Sequence, residues 1–189
     1  MASRITPERE AELHGAVLDL LREVGYEALT MDAVAARTKS SKATLYRQWG
    51  SKPELVAKAL RCTQKVSLAE IDTGSIRGDF AVMIQHSDDD QMAKDTALMR
   101  GLSHAVHESP ELHKALRELL VDPEITGLQV MLQRAVDRGE IAPDCPAIGF
   151  VPHMLIGAFI SLPLIEDRPV DRPFLSEFTE AVVFPALGV

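Results

Sequence analysis

The sequence predicts an all-α fold made of one large or two small domains. Few windows alternate apolar and polar residues with the period of a strand, and apolar positions recur three and four residues apart. Capping residues and glycines punctuate the chain as they do at helix ends. With 189 residues, 46% of them hydrophobic and 25% charged, the chain can bury a substantial core. These observations exclude a disulfide-stapled miniprotein and a wholly disordered chain.

The first helix is predicted to begin after Thr6, an N-cap residue, with Pro7 in the first turn, where a missing N–H has no cost. Gly25 predicts its end, because glycine adopts the left-handed conformation of a helix C-terminus without a steric penalty. Apolar residues at three-and-four spacing predict one buried face between these two signals: Leu13, Val17, Leu20, Leu21 and Val24.

Two very short helices are predicted next. Thr30 can cap the helix Met31–Thr38, and Ser41 can cap a second helix from Lys42 to about Trp49. Leu45 and Trp49 share the face of the second helix that we expect to enter the core.

The segment Ser51-Lys52-Pro53-Glu54 matches a capping box, in which the serine and the glutamate bond each other's backbone amides. It predicts a fourth helix, which we expect to reach about Ala69. Six further helices are expected near residues 75–87, 91–107, 110–120, 124–138, 146–165 and 172–186, with Asp122-Pro123 starting or kinking one of them.

The charge of the chain is unevenly distributed. The net charge of −8 would argue against a nucleic-acid partner, yet residues 1–65 sum to +3 and residues 66–189 to −11. Within residues 37–65, eight basic side chains face a single acid, Glu54. A short basic stretch therefore belongs to an otherwise acidic chain.

Two short helices joined by a tight turn, the second with Lys42, Thr44, Tyr46 and Arg47, fit a helix-turn-helix, whose second helix enters the major groove of DNA. Lysine and arginine neutralise phosphates, and the amides at the start of a helix can point at a phosphate oxygen. On these features alone, a solvated basic face with Tyr46 partly buried is an equal alternative.

Residues 17–60 closely resemble the N-terminal domain of TetR-type (tetracycline-repressor-like) transcriptional regulators. The resemblance is strongest in Thr30-Met31-Asp32-Ala33-Val34-Ala35 and in Ser41-Lys42-Ala43-Thr44-Leu45-Tyr46-Arg47-Gln48-Trp49-Gly50-Ser51-Lys52-Pro53-Glu54-Leu55. It implies a three-helix helix-turn-helix DNA-binding domain in residues 1–50 and a helical ligand-binding and dimerisation domain in residues 51–189, joined by a helix that begins near residue 52. It also implies a double-stranded DNA operator as the partner.

Roles carry over from this resemblance residue by residue. Thr30 and Lys52 correspond to phosphate contacts. Ser41, Thr44 and Tyr46 correspond to phosphate or groove contacts, and Lys42, Ala43 and Arg47 to side chains that read bases.

One departure from the family stands in the turn, where Thr38-Lys39-Ser40-Ser41 replaces the usual Ala-Gly-Val-Ser. Lys39 is expected to be strained where glycine is the rule, and to add a phosphate contact of its own.

The resemblance also implies a homodimer formed through the last two long helices. No charged residue occurs in residues 145–165, and Gly157, Ala158 and Ser161 allow helices to approach closely. This segment is long enough to span a bilayer, but its three prolines and the lack of a basic flank argue against a membrane. An intramolecular core remains the alternative for the predicted interface residues: Gly157, Ala158, Ser161, Phe174, Phe178 and Val182.

An unknown, largely apolar small molecule is the effector that such a regulator would bind. Methionine suits an adaptable pocket, although each candidate can equally be a core residue. The predicted pocket residues are Phe80, Met83, Met99, Leu102, His104, Met131, Met154 and Phe159, with Ile84, Met92 and Leu98 on the same helices. The histidine spacing specifies no metal site, and no cofactor is expected.

An enzyme and a protein-interaction module are the two alternatives to a DNA-binding regulator. An enzyme is disfavoured because the sequence has no nucleophile elbow, phosphate-binding loop or paired metal-ligand motif. A helical protein-interaction module that has lost specific DNA binding is the alternative to a regulator, and the altered turn favours it slightly. We expect a ligand-responsive cytoplasmic repressor.

Overall fold

The computed structural model describes residues 6–62 and 66–189, with the side chains of Met99 and Arg100 left out. Among these residues the secondary structure is helical, as predicted. The α-helices are α1 (Pro7–Ala28), α2 (Met31–Thr38), α3 (Lys42–Trp49), α4 (Lys52–Arg61), α5 (Ile76–His86), α6 (Asp89–Glu108), α7 (Pro110–Leu116), α8 (Asp122–Asp137), α9 (Val151–Glu166), α10 (Arg172–Phe178) and α11 (Phe184–Leu187).

The capping residues set the ends of the first helices. The side chains of Thr6, Thr30, Ser41 and Ser51 each accept a hydrogen bond from the amide three residues later, which begins α1, α2, α3 and α4. Gly25 has φ 77° and interrupts the helical backbone of α1 where the sequence predicts an end. One short turn continues beyond it to Ala28.

Helix α4 is shorter than predicted. It ends at Arg61 rather than near Ala69, and Leu68–Glu70 forms a short 3₁₀ turn instead. The guanidinium of Arg134 donates hydrogen bonds to the main-chain oxygens of Ala69 and Ile71, at 3.1 and 2.6 Å. A side chain distant in sequence thus binds two carbonyls of the segment that follows α4 and holds the 3₁₀ turn.

Two π turns precede prolines. Arg117–Val121 lies just before Pro123, and Thr179–Val183 lies just before Pro185. Proline lacks an amide hydrogen, and its ring collides with the carbonyl four residues earlier in a regular helix. A locally widened turn relieves that collision, so the chain passes each proline without leaving the helix.

The chain forms two compact units. The first comprises Met1–Gln64 and Leu98–Asp122, and the second comprises Lys65–Ala97 and Pro123–Val189. The unit that holds the helix-turn-helix is therefore larger than the predicted domain of residues 1–50, because apolar side chains from the second half of α6 and from α7 complete its core.

The first unit has one apolar core around α1 and α4. Trp49 and Leu45 of α3 are 1% and 0% exposed within it, as the sequence predicts. They pack in the same cluster as Leu13 and Val17 of α1 and Leu55 of α4. The buried face of α3 is thereby fixed, and its opposite face is turned to solvent.

The second unit has two apolar clusters. The larger one contains Phe80 of α5, Met131 of α8 and Phe184 of α11, and the rings of Phe80 and Phe184 meet edge to face at 5.5 Å. The smaller one contains Met92 of α6, Leu162 of α9 and Leu175 of α10.

Candidate nucleic-acid interface

Helix α3 presents a polar and basic surface opposite its buried face. Lys42, Ala43, Tyr46 and Arg47 are all exposed, and Tyr46 retains 47% of its accessible surface. An exposed aromatic ring beside an arginine on a short, rigidly packed helix is the arrangement that can enter a DNA groove.

Two of the hydroxyl groups predicted to contact DNA, those of Thr30 and Ser41, act as helix caps within the chain. Thr30 Oγ1 accepts from the amide of Ala33 at 3.1 Å, and Ser41 Oγ accepts from the amide of Thr44 at the same distance. The Ser41 and Thr44 hydroxyls also lie 2.8 Å apart. Their roles toward DNA stay predictions, and their structural role is to begin α2 and α3.

The cations of the helix-turn-helix differ in their partners. Lys42 Nζ donates to Asp32 at 2.9 Å, and this bond raises the pKa of Lys42. Arg37 binds Glu23 through both terminal nitrogens, and this pairing raises the pKa of Arg37. Lys39 and Arg47, by contrast, have no ion pair or hydrogen bond from their side chains within the described residues, so their charges are available to an outside anion.

Lys52 occupies an internal position that the sequence did not indicate. Its ammonium donates to the main-chain oxygens of Tyr26 and Leu29, at 2.7 and 2.8 Å, and lies 4.1 Å from the centre of the Tyr26 ring. Burial lowers the pKa of Lys52. The ammonium therefore ties α4 to the end of α1, and its predicted phosphate contact depends on the one remaining N–H.

The unusual turn has the predicted strain. Lys39 has φ 51° and ψ 36°, the left-handed conformation that glycine normally supplies. The amide of Ser40 donates to the oxygen of Ala35 at 3.0 Å and the amide of Lys39 to that of Ala36 at 3.4 Å, which is the Schellman pattern. The backbone thus forms a left-handed Schellman turn without a glycine.

Replacing Lys39 by glycine is expected to stabilise the chain. Glycine removes the Cβ that opposes positive φ, and part of this gain is offset by the larger entropy of the unfolded chain, leaving about 0.5–1 kcal/mol. Urea unfolding followed by circular dichroism measures the difference. Lys39→Ala is the control, since it removes the charge but keeps the Cβ; an equal gain in both variants would contradict the explanation by strain.

His14 is a buried titratable residue in the core beneath α3. It is 3% exposed, and its ring meets that of Trp49 edge to face at 5.9 Å. Within the described residues neither ring nitrogen has a hydrogen-bond partner. Burial lowers the pKa of His14, Lys58 lowers it further, and Glu10 opposes them.

The stability of the chain should therefore fall as His14 becomes protonated in the unfolded state. Because the folded-state pKa lies below the ordinary value of 6.5, the contribution is complete above pH 6.5 and is lost as the pH falls below it. The slope approaches about 1.4 kcal/mol per pH unit for one proton. Urea unfolding between pH 7.5 and 5.5 measures it. His14→Phe should flatten the slope, and an unchanged slope in this variant would refute the assignment.

The predicted pocket residues do not gather in one cluster. Phe80 and Met131 are 1% and 0% exposed in the second unit's larger core, and Met83 and Met154 pack at its edge. Phe159 packs on the smaller cluster, whereas Leu102 belongs to the core of the first unit. His104 is exposed, and the Met99 side chain lies outside the description. The effector site stays a prediction.

The second unit also has an open cleft of about 560 Å³. It is polar, unlike the apolar pocket that the sequence suggests. Across this cleft, the main-chain amide and the guanidinium of Arg172 both donate hydrogen bonds to the Asp89 carboxylate. The lining residues are Gln85, His86, Ser87, Asp88, Asp89, Asp90 and Arg172.

Helix α9 exposes an apolar face within the segment 145–165, formed by residues other than those predicted for the interface. Ile156, Ile160 and Leu164 are 47%, 68% and 84% exposed at intervals of four residues, so they form one stripe. Phe150 and Ile165 extend the exposed apolar surface. The spacing was visible in the sequence, but a segment without charges gave no sign of which apolar side would remain outside.

The predicted interface residues divide between exposed and internal positions. Gly157 is half-buried, while Ser161 and Val182 are exposed. Ala158 is 4% exposed and packs within its own chain, and its place in the interface stays a prediction. Phe174 and Phe178 stack on each other at 5.7 Å and pack against the two clusters of the second unit.

By length and composition, Ile148–Glu166 could cross a membrane, with a mean hydropathy of 1.9 over its best window. Val151 and Leu162 nevertheless pack in the two clusters of the second unit. One side of α9 is therefore already covered by protein, which favours a protein interface on the other side.

Two family models match the chain. Residues 15–59 match "Bacterial regulatory proteins, tetR family", and residues 70–182 match "Tetracyclin repressor-like, C-terminal domain". The first match contains the whole helix-turn-helix, and the second covers more than half of the chain.

Characterised and uncharacterised relatives agree with these models. The uncharacterized HTH-type transcriptional regulator Rv1556 of Mycobacterium tuberculosis is 34% identical over 95% of this chain and 88% of its own length. The DNA-binding transcriptional repressor TetR of Mycobacteroides abscessus is 31% identical over 93% of this chain and 92% of its own.

A solved structure has the same fold. The TetR family transcription regulator SCO0332 superposes with a TM-score of 0.69 and 29% identity, over 96% of this chain and 98% of that one. All these relatives are regulators rather than enzymes. The chain belongs to the TetR family of helix-turn-helix, DNA-binding transcriptional regulators.

Proposed function

We propose that the chain is a homodimeric cytoplasmic repressor that binds a palindromic operator and is released from it by a small, largely apolar molecule. The exposed Tyr46 and Arg47 on a helix fixed by Leu45 and Trp49 carry the DNA-binding part of this proposal. The repressor named among its relatives supports the direction of regulation.

In the proposed complex, α3 lies in the major groove. Arg47 can bind a guanine edge with two N–H groups, and the Ala43 methyl can meet a thymine methyl. The unpaired charge of Lys39 and the first amides of α3 face phosphates. To reach a base, the Lys42 ammonium must break its hydrogen bond to Asp32 or divide its donors between Asp32 and the base. Lys42 therefore contributes less to DNA affinity than Arg47.

The proposed homodimer uses the stripe of Ile156, Ile160 and Leu164 on α9, with the exposed Ser161 beside it and the exposed Val182 as a further candidate. A stripe of large apolar side chains this exposed is unfavourable in water, and pairing with a second copy removes it from solvent. In a twofold dimer, each subunit places its own α3 in a separate stretch of the major groove. The two half-sites then lie about 34–36 Å apart or a multiple of that distance.

The proposed effector acts through the second unit, which lies within the predicted ligand-binding domain of residues 51–189. Met83, Met154 and Phe159 are half-buried at the edges of its two clusters and can change rotamer around a ligand. Such a ligand releases the chain from DNA only if it binds the released state more tightly than the DNA-binding state. Bound DNA then weakens the binding of the ligand by the same factor.

Selection from a random-sequence duplex library with the full-length chain tests the proposal. An inverted repeat should be enriched, and the logarithm of its affinity should fall steeply and linearly with the logarithm of the salt concentration. Failure to enrich any sequence, or binding that does not respond to salt, would refute it. The genes that flank matching genomic sites then suggest effectors to test.

A further inference from the structure

Arg9 connects the first turn of α1 to the end of α2. Its Nη2 donates to the main-chain oxygen of Thr38, 29 residues later, while its Nη1 donates to Glu12 Oε2 at 2.6 Å. The Thr38 oxygen is one of the last carbonyls of α2, which have no donor within their own helix. One guanidinium thus bridges a carboxylate on α1 and the end of the helix that precedes the turn.

Besides Arg9, the turn is held by the Lys42–Asp32 ion pair between α2 and α3 and by a few local bonds. Of the two backbone bonds that close it, the one from Lys39 to Ala36 is long at 3.4 Å, and the Ser40 hydroxyl reaches the Thr38 oxygen at the same length. Lys39 is left-handed without being glycine, so its own Cβ favours another conformation. A strained residue persists only where its surroundings over-determine it, and the Arg9 bond supplies part of that constraint.

The turn sets the direction of α3 together with the core contacts of Leu45 and Trp49. Ser41, the N-cap of α3, follows Ser40 directly, so a change in the dihedral angles at Lys39 or Ser40 rotates α3 relative to α2. Base contacts tolerate displacements of only about 0.5 Å. We propose that Arg9 is a positioning residue for DNA recognition, which holds the turn in the place of the family's glycine; this inference rests on the proposed function.

Arg9 differs from a phosphate contact in a measurable way. Its charge is paired with Glu12, and its donors are directed at protein acceptors, so its loss should not change the number of phosphates neutralised. It should instead change how well the chain distinguishes its operator from other DNA. A lysine keeps the charge but lacks the planar fork that binds two acceptors together.

The test compares affinities for two duplexes, the one selected by the wild-type chain and a shuffled duplex of equal length. Arg9→Met should reduce the ratio of the two affinities about tenfold or more, with unchanged affinity for the shuffled duplex and an unchanged salt slope. Arg9→Lys should reduce the ratio less. Arg22→Met is the matched control, because Arg22 also pairs with an acid three residues away on α1 but does not contact the turn.

A double variant distinguishes a positioning role of Arg9 from a role in the stability of the fold. In the background of Lys39→Gly the turn needs no clamp, so adding Arg9→Met should leave the ratio unchanged. A ratio unaffected by Arg9→Met, a loss shared equally by both duplexes, or a loss that Lys39→Gly does not restore would overturn the inference. If the wild-type chain itself does not discriminate, the proposed function fails instead.

Discussion

Arg47→Ala is expected to lower the affinity for the selected duplex by about 5- to 150-fold per subunit, the cost of one bidentate arginine–guanine contact of about 1–3 kcal/mol. Arg47 is exposed and has no partner within the described residues, so its truncation leaves no buried group unpaired. The free energy of unfolding should change by less than about 0.5 kcal/mol. Fluorescence anisotropy with a labelled duplex measures the affinity.

Tyr46→Ala should give a smaller loss of affinity with the same unchanged stability, since Tyr46 offers one hydroxyl and an exposed ring.

Arg61→Ala is the charge-matched control for Arg47→Ala. Arg61 is exposed at the far end of α4, about 15 Å from the first residue of that helix. If Arg61→Ala weakens binding as much as Arg47→Ala, the basic charge of the first unit alone explains the affinity and α3 does not read bases.

Ile160→Glu combined with Leu164→Glu is expected to convert a dimer into monomers. Each substitution places a carboxylate in the middle of the exposed apolar stripe of α9, where pairing with a second copy would bury it without a partner. Operator affinity should then fall by about 10²–10⁴, because the two half-sites are no longer bound by linked subunits. Sedimentation velocity at micromolar concentration measures the change.

Val24→Glu is the control for this dissociation, because Val24 is 44% exposed on α1, outside the stripe. It should leave the sedimentation coefficient unchanged. A double variant that still sediments as a dimer would place the interface elsewhere. A wild-type chain that requires detergent to leave the membrane fraction would show that α9 inserts into lipid instead.

The helix-turn-helix could be predicted closely because its signals are local. Thr30 and Ser41 fix the starts of α2 and α3 through bonds that span three residues, and Gly50 ends α3 with φ 80°. The strain at Lys39 was also predictable from the residue type alone, since a turn built for glycine contained a lysine.

The features that the sequence did not predict depend on residues that are distant in the chain. The 3₁₀ turn at Leu68–Glu70 is bound by Arg134, more than sixty positions later, and the Lys52 ammonium donates to carbonyls at the end of α1. Apolar periodicity predicts burial but not which core receives a side chain, and Leu102 and Phe80 lie in the cores of different units. For the same reason the sequence does not specify which side of α9 stays exposed.

The ratio of affinities for the selected and shuffled duplexes, measured at one physiological salt concentration, tests the account most directly. A sequence-specific regulator that reads bases through α3 should prefer the selected duplex by roughly 10³ or more, and Arg47→Ala should erase much of that preference. Equal affinities for the two duplexes, or a preference that survives Arg47→Ala undiminished, would contradict it.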